Sequence, residues 1–179
     1  MLEQPHAHYM QLALREAQKS ADNDEVPVGA IIVRNGQVIG RAHNQTELLK
    51  DPTAHAEMIA ITQAASSVGD WRLTETTLYV TKEPCPMCAG AIVLARIPAV
   101  VFGVADPLRG GAVSVFNILG HPQLNHRPTV TSGVLEEECR GMIQSFFKTK
   151  RRKPADAEPT AGPPISPTSP SMRLTERGD

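Results

Sequence analysis

From Tyr9 to Ala21 the apolar residues Met10, Ala13, Leu14, Ala17 and Ala21 fall at helical spacing, which predicts an amphipathic first helix that cannot run past Pro27. The period then changes to that of strands. Val28 to Val33 is a β-branched run, Asn35-Gly36 is a strong turn signal, and Val38 to Ala42 resumes the strand pattern. A β-hairpin is expected, with Asn44 just past its end. Asp51-Pro52-Thr53 supplies helix-start residues, and the alanine-rich segment from Ala54 to Ser67 reads as a helix with His55 in its first turn.

Thr76 to Thr81 reads as a buried strand, followed by Glu83-Pro84 and a helix from Pro86 to about Arg96. Ala99 to Val104 is another apolar strand, and the glycine-containing stretch from Leu108 to Leu119 is expected to hold a short helix. After the polar loop His121 to Arg127, Thr129 to Thr131 adds a short strand. Leu135, Cys139, Met142, Ile143 and Phe146 then trace a helical stripe, which Glu136, Glu137 and Glu138 open favourably for the helix dipole. Phe146 continues the stripe and reads as core, leaving Phe147 as the aromatic free to stack on a base.

Composition changes this picture mainly at the end. The chain has 179 residues and 41% hydrophobic content, enough for one core. From Pro154 to Asp179 it is rich in Pro, Ser, Thr and Ala, so one domain over residues 1–153 and a disordered tail over 154–179 are expected. The PxxP spacings Pro164 to Pro167 and Pro167 to Pro170 are what such composition generates freely. The formal net charge of -1 excludes the strong basic bias of a nonspecific nucleic-acid binder, so any such contact must be local. Lys148 to Lys153 (KTKRRK) is the candidate patch, with Arg151 and Arg152 at its centre. The N-terminus lacks a basic region followed by an apolar one, and no window has the length of a membrane span, so a soluble, unexported protein with no membrane partner is expected.

The chemistry is concentrated in two short segments. Of the three cysteines, Cys85 and Cys88 form a CxxC pair, which suits a shared metal in a reducing cytoplasm better than a disulfide framework, and Cys139 on the apolar stripe reads as a buried thiol. Three residues apart at a helix start, Cys85 and Cys88 put both sulfurs on one side of the first turn, where the helix end favours thiolates. Upstream lies His55-Ala56-Glu57. One imidazole and two thiolates fill three corners of a tetrahedral zinc site and leave the fourth for water. On a mid-helix surface His55 and Glu57 would point roughly 200° apart. At a first turn aimed at the metal, both can reach the space beyond the helix end, with Glu57 as the proton-handling carboxylate. The competing arrangement is a closed structural site completed by His43, His121 or His126, but such sites usually bring a second paired motif and this chain has none. A thioredoxin-like redox pair gains nothing from the HAE triplet.

HAE followed by PCxxC after a strand resembles the zinc-dependent cytidine and nucleotide deaminase superfamily, and the chain is similar within it to the bacterial adenosine deaminases specific for tRNA. The likeness spans about residues 5–152 through Val26-Pro27-Val28-Gly29-Ala30, Asn44, Asp51 to Glu57, Glu83 to Ala91, Val101-Phe102-Gly103, Asn125-His126-Arg127 and Ser145-Phe146-Phe147. It implies a three-layer α-β-α, cytidine deaminase-like fold with a central mixed sheet of about five strands. It also implies one zinc per subunit on His55, Cys85 and Cys88, and Glu57 as the proton shuttle.

Asn44 would hydrogen-bond the purine with Val28 packed against it, the backbone around Ala56 and Cys85 would help hold base and nucleophile, and Asp106 would lie near the substrate ribose. The implied reaction converts adenosine to inosine and ammonia at the wobble position of a tRNA anticodon. The implied partners are the anticodon stem-loop, through Phe147, Arg151 and Arg152, and a second copy of the chain in a homodimer that completes the site; no DNA is expected. Two departures stand out: Lys82, where the family usually has an aliphatic residue, and the loop Asp106 to Gly111, which differs from the commoner form with Lys-Thr-Gly. Two other functions compete, a deaminase of free bases or nucleotides on the same zinc motifs and a zinc module without catalysis. Only a catalyst needs Glu57.

Overall fold

The computed structural model describes residues 4–152; the expected tail lies outside the described residues. Helix α1 (Gln4–Asp22) leads into strand β1 (Gly29–Arg34) and β2 (Gln37–His43), followed by a short α2 (Thr46–Leu49) and by α3 (Ala56–Val68). Then come β3 (Thr76–Lys82), α4 (Pro86–Leu94), β4 (Ala99–Val104), β5 (Thr129–Ser132) and α5 (Glu136–Arg152). The sheet order is β2-β1-β3-β4-β5, with β1 antiparallel to both neighbours and β3, β4 and β5 parallel.

The expected hairpin is present. Arg34 pairs with Gln37, so Asn35 and Gly36 form a two-residue loop, and both have positive φ (50° and 75°), as a type I′ turn requires. Strand alternation sorts the core into two layers. Ala30, Ile32, Leu78, Val80, Val100 and Phe102 face α3 and α4, whereas Ile31, Val33, Tyr79 and Val101 face α1 and α5 through Met10, Ala13 and Cys139. The mixed five-strand sheet with helices on both faces is the three-layer architecture expected. Cys139 is fully buried, as its place on the stripe predicts.

Three expectations need correction. The segment from Leu108 to Leu119 forms turns instead of a helix, because its amides bond to side chains: Leu108 and Arg109 N–H donate to Asp106, and Val113 and Ser114 N–H to Glu83. One i to i−4 bond, Gly110 N–H to the Asp106 carbonyl, is not continued. Asp51 and Thr53 make a turn in which both the Thr53 N–H and hydroxyl donate to Asp51 Oδ1, so α3 starts later than expected and His55 is its N-cap, one position outside the first turn. Phe146 is half-buried instead of core, because the α5 stripe meets the sheet only near Leu135, Cys139 and Ile143 and the helix then runs past the sheet. No described helix is long and apolar enough to cross a membrane.

Candidate active site

Two helix N-termini meet at one point. His55 caps α3 and Cys85 caps α4, both in extended conformation (ψ 151° and 172°), and neither side chain hydrogen-bonds its own helix end. Each is thereby released toward the other. His55 Nδ1 lies 3.6 Å from Cys85 Sγ and 3.5 Å from Cys88 Sγ. Tetrahedral bonds of about 2.05 Å to nitrogen and 2.3 Å to sulfur would hold those atoms roughly 3.6 Å apart, so this donor set fits one zinc ion. Among the described residues it is the one His/Cys/Asp/Glu group whose ligand atoms lie close enough to hold a metal. His43, His121 and His126 do not join it.

The electrostatics favour the thiolate at Cys85. The Cys85 thiol is held down to about 4, first by the hydrogen bond from the Cys88 side chain and then by His55, whereas the hydrogen bond to Cys85 and burial push the Cys88 thiol up. His55 is raised, first by its bond to Cys85. Glu57, in the first turn of α3, is buried beside them, and its carboxyl is raised chiefly by desolvation. That environment favours a proton carrier over a permanently ionised salt-bridge partner.

His55, Glu57 and Cys85 line a cleft of about 660 Å³, a size suited to a nucleobase and its ribose, with Cys88 fully buried behind them. Asn44 and Val28 line it. Asn44 is fixed by its backbone: its N–H donates to Val28 O (3.1 Å), and its carbonyl accepts from the Ser20 hydroxyl (3.2 Å). Its side-chain Oδ1 accepts the Ala56 N–H at 2.9 Å. The Ala56 N–H is therefore engaged by Asn44. The Asn44 amide nitrogen, a double donor, is left to the cleft.

Asp106 lines the cleft too, but its oxygens turn toward protein: Oδ1 accepts the N–H of Leu108 and Arg109, and Oδ2 accepts from Lys82 Nζ. Burial pushes its carboxyl up, yet Lys82 and those N–H groups outweigh this and hold it below its ordinary value. Phe146 and Phe147 form another part of the wall, edge to face with ring centroids 5.3 Å apart, and Lys150 joins them. Arg151 is exposed on α5 and lines an adjoining groove with Phe147; Arg152 ends the helix.

Asn125-His126-Arg127 does not reach the cleft. Asn125 Oδ1 accepts from Arg96 at 2.5 Å and His126 Nε2–H donates to Ile97 O at 2.7 Å, so this loop is stapled to the turn between α4 and β4. Sequence reasoning missed Glu83. Its buried carboxylate accepts the N–H groups of Asp106, Val113 and Ser114, each at 2.9 Å, and the Ser114 hydroxyl, organising the loop beside Cys85. Its place directly before Pro84-Cys85 was the available signal.

Comparison with known proteins agrees with this geometry. The sequence model of the MafB19-like deaminases matches residues 4–151. The tRNA-specific adenosine deaminase of Bacillus subtilis is 51% identical over 145 residues, 81% of this chain and 90% of the relative. That of Aquifex aeolicus is 50% identical over 80% of this chain and 95% of its own length. A structure solved in work on A-to-I editing by tRNA deaminases at the wobble position of transfer RNA superposes with a TM-score of 0.73 at 44% identity, covering 75% of this chain and 98% of that one.

Proposed function

This chain belongs to the tRNA-specific adenosine deaminase family, and from that membership we propose that it hydrolyses adenosine to inosine and ammonia at the wobble position of a tRNA anticodon. The observation that carries the proposal is that His55 and Cys85, which converge with Cys88, line one nucleoside-sized cleft together with the buried Glu57. His55, Cys85 and Cys88 would hold one zinc per subunit, which when bound supplies a water-derived nucleophile at neutral pH.

The protein's own groups do the rest. Glu57 takes one proton from the attacking water and gives it to the purine ring nitrogen, then takes the second from the resulting hydroxyl and gives it to the departing amino group, and burial, by raising its carboxyl, helps it carry them. Asn44 donates to the purine, fixed in orientation by the Ala56 N–H, and Val28 packs against the ring. Phe147, with Phe146 beside it, offers a stacking surface for a neighbouring base, and Lys150, Arg151 and Arg152 give the anticodon loop a local cationic path. A tRNA substrate fits work in the cytoplasm.

We infer a homodimer as well, supported by the apolar side chains that α4 and the loop after β4 leave exposed, Leu94 (71%), Leu108 (82%) and Phe116 (56%) among them. Residues 1–153 would form its catalytic domain. The deciding experiment offers the enzyme tRNA transcripts with adenosine at the wobble position alongside free guanine and cytosine. Inosine in the tRNA, with no ammonia from the free bases, is expected. Turnover of the free bases alone would reject the tRNA assignment in favour of a small-molecule deaminase.

A further inference from the structure

Lys82 is the last residue of β3 and directly precedes Glu83-Pro84-Cys85, where the chain enters the ligand-bearing helix. The parallel register sets it opposite Val104 at the end of β4, so the exits of two adjacent strands bring Lys82 and Asp106 together. Both then line the same cleft as His55, Cys85 and Glu57.

The pair is not symmetrical in what it offers. Asp106 is heavily engaged, with Oδ1 accepting two backbone N–H groups at 3.1 Å and Oδ2 accepting from Lys82. Its own N–H is fixed on Glu83 at 2.9 Å. A carboxylate so occupied holds its partner more than it reads a ligand. An ammonium, by contrast, has three donors, and among the described residues Lys82 Nζ is bonded to Asp106 alone. Its side chain is 28% exposed, enough to be reached from the cleft but too enclosed to sweep through solvent. Arg109 and Lys150 line the same cleft, Lys150 bonded to Asp24 at 2.6 Å, and so do the carboxylates of Glu25 and Glu47.

We propose that Lys82, held in place by Asp106, reads a phosphate of the RNA chain: its two remaining N–H donors take a non-bridging oxygen of a phosphate flanking the target nucleoside. It would thereby favour a nucleotide within a polynucleotide over a free nucleoside or base. The proposal rests on the tRNA substrate proposed above.

The test uses the full-length zinc-loaded enzyme, its K82M and K82R variants, and an anticodon stem-loop RNA with a wobble adenosine. Inosine formation is measured as kcat and KM from about 50 to 200 mM salt, the range over which phosphate contacts dominate the salt response. Zinc content is measured in parallel. K82M is expected to raise KM about tenfold, the loss of one charged hydrogen bond, and to raise it more than it lowers kcat, with zinc retained. Its slope of log KM against log salt should flatten by about 0.7, the value for one lost contact on a single strand. K82R should restore both.

A second RNA carries uncharged methylphosphonates on each side of the target adenosine. Wild-type enzyme should lose on it what K82M loses on ordinary RNA, whereas K82M should be indifferent to the change. This arm needs no variant to fold, and an unchanged wild-type KM on that RNA overturns the proposal. So does a K82M salt slope equal to that of wild type, which would leave Lys82 as a prop for Asp106. Failure of wild-type enzyme to deaminate any tRNA rejects the substrate assignment instead, a separate outcome.

Discussion

Glu83→Gln should destabilise the protein severely although it removes no atom from the site of reaction. The wild-type carboxylate is buried and accepts three backbone N–H groups at 2.9 Å and the Ser114 hydroxyl. A glutamine is best accommodated with its nitrogen toward Ser114, whose hydroxyl can turn to accept. The Asp106 N–H then faces another donor, costing about 1–3 kcal/mol for a buried unpaired group. The bonds from Val113 and Ser114 N–H survive but lose their charge assistance, about 1 kcal/mol each. The sum, about 3–5 kcal/mol, is a large fraction of the stability of a typical domain.

The pH dependence has a definite sign. Burial pushes the Glu83 carboxyl up, but Ser114 and the backbone N–H groups outweigh it and hold the folded value below the ordinary 4.5. Its contribution is therefore complete above about 4.5 and is lost as pH falls through the lowered folded value. Urea unfolding of both proteins should show the full gap near pH 7, narrowing as the pH falls below the ordinary carboxylate value of 4.5. The effect should also reach the metal site. Gly111 N–H donates to Pro84 O at 2.8 Å, and a Cβ on Gly111 would lie 2.5 Å from Pro86 N, so the loop that Glu83 organises buttresses the Cys85 corner and the variant should retain less zinc. Stability within about 0.5 kcal/mol of wild type near pH 7, the scatter of ordinary surface substitutions, would refute the reasoning, as would a gap that does not narrow in acid.

Glu57→Ala should keep its metal, measured by elemental analysis, while losing about 10²- to 10⁴-fold in turnover as expected for a general acid–base; near wild-type turnover would remove Glu57 from the mechanism. Gly103→Ala should destabilise by about 1–3 kcal/mol by overpacking, since a Cβ there would sit 2.3 Å from Cys139 Sγ and 2.7 Å from the Thr81 carbonyl. An unchanged Tm in calorimetry would contradict that contact. Replacing Lys150, Arg151 and Arg152 together by Ala should weaken RNA binding and flatten its salt dependence with zinc content unchanged; an intact salt slope would exclude the end of α5 as an RNA surface.

Legibility in the sequence followed the range of the interaction. The hairpin was readable because Asn35-Gly36 carries its own turn geometry, and β4 because Ala99 to Val104 carries its own apolar run. The His55, Cys85 and Cys88 cluster was readable because two short motifs each belong to a helix start, and a metal explains why such residues should meet. The Leu108 to Leu119 segment was misread because the groups that satisfy its amides lie elsewhere: Glu83 is about thirty residues upstream of Val113 and Ser114, and local periodicity carries no trace of it. Phe146 was misread because the stripe records which face of α5 is apolar but not where the sheet beneath it stops.

The same distinction separates the chemistry from the choice of substrate. The ligands and Glu57 sit within two helix-start motifs, so their meeting could be inferred from the residues themselves. Lys82 and Asp106 lie 24 residues apart, and although each draws notice in the sequence they become one device only because β3 and β4 run parallel in the register that sets Lys82 opposite Val104. A register slip of one residue would turn Lys82 to the opposite face and leave Asp106 without its cation. Whatever Lys82 contributes to substrate reading is therefore a property of the sheet, and substitutions at the β3–β4 interface should alter substrate preference before they alter the zinc site, whose ligands are fixed by α3 and α4.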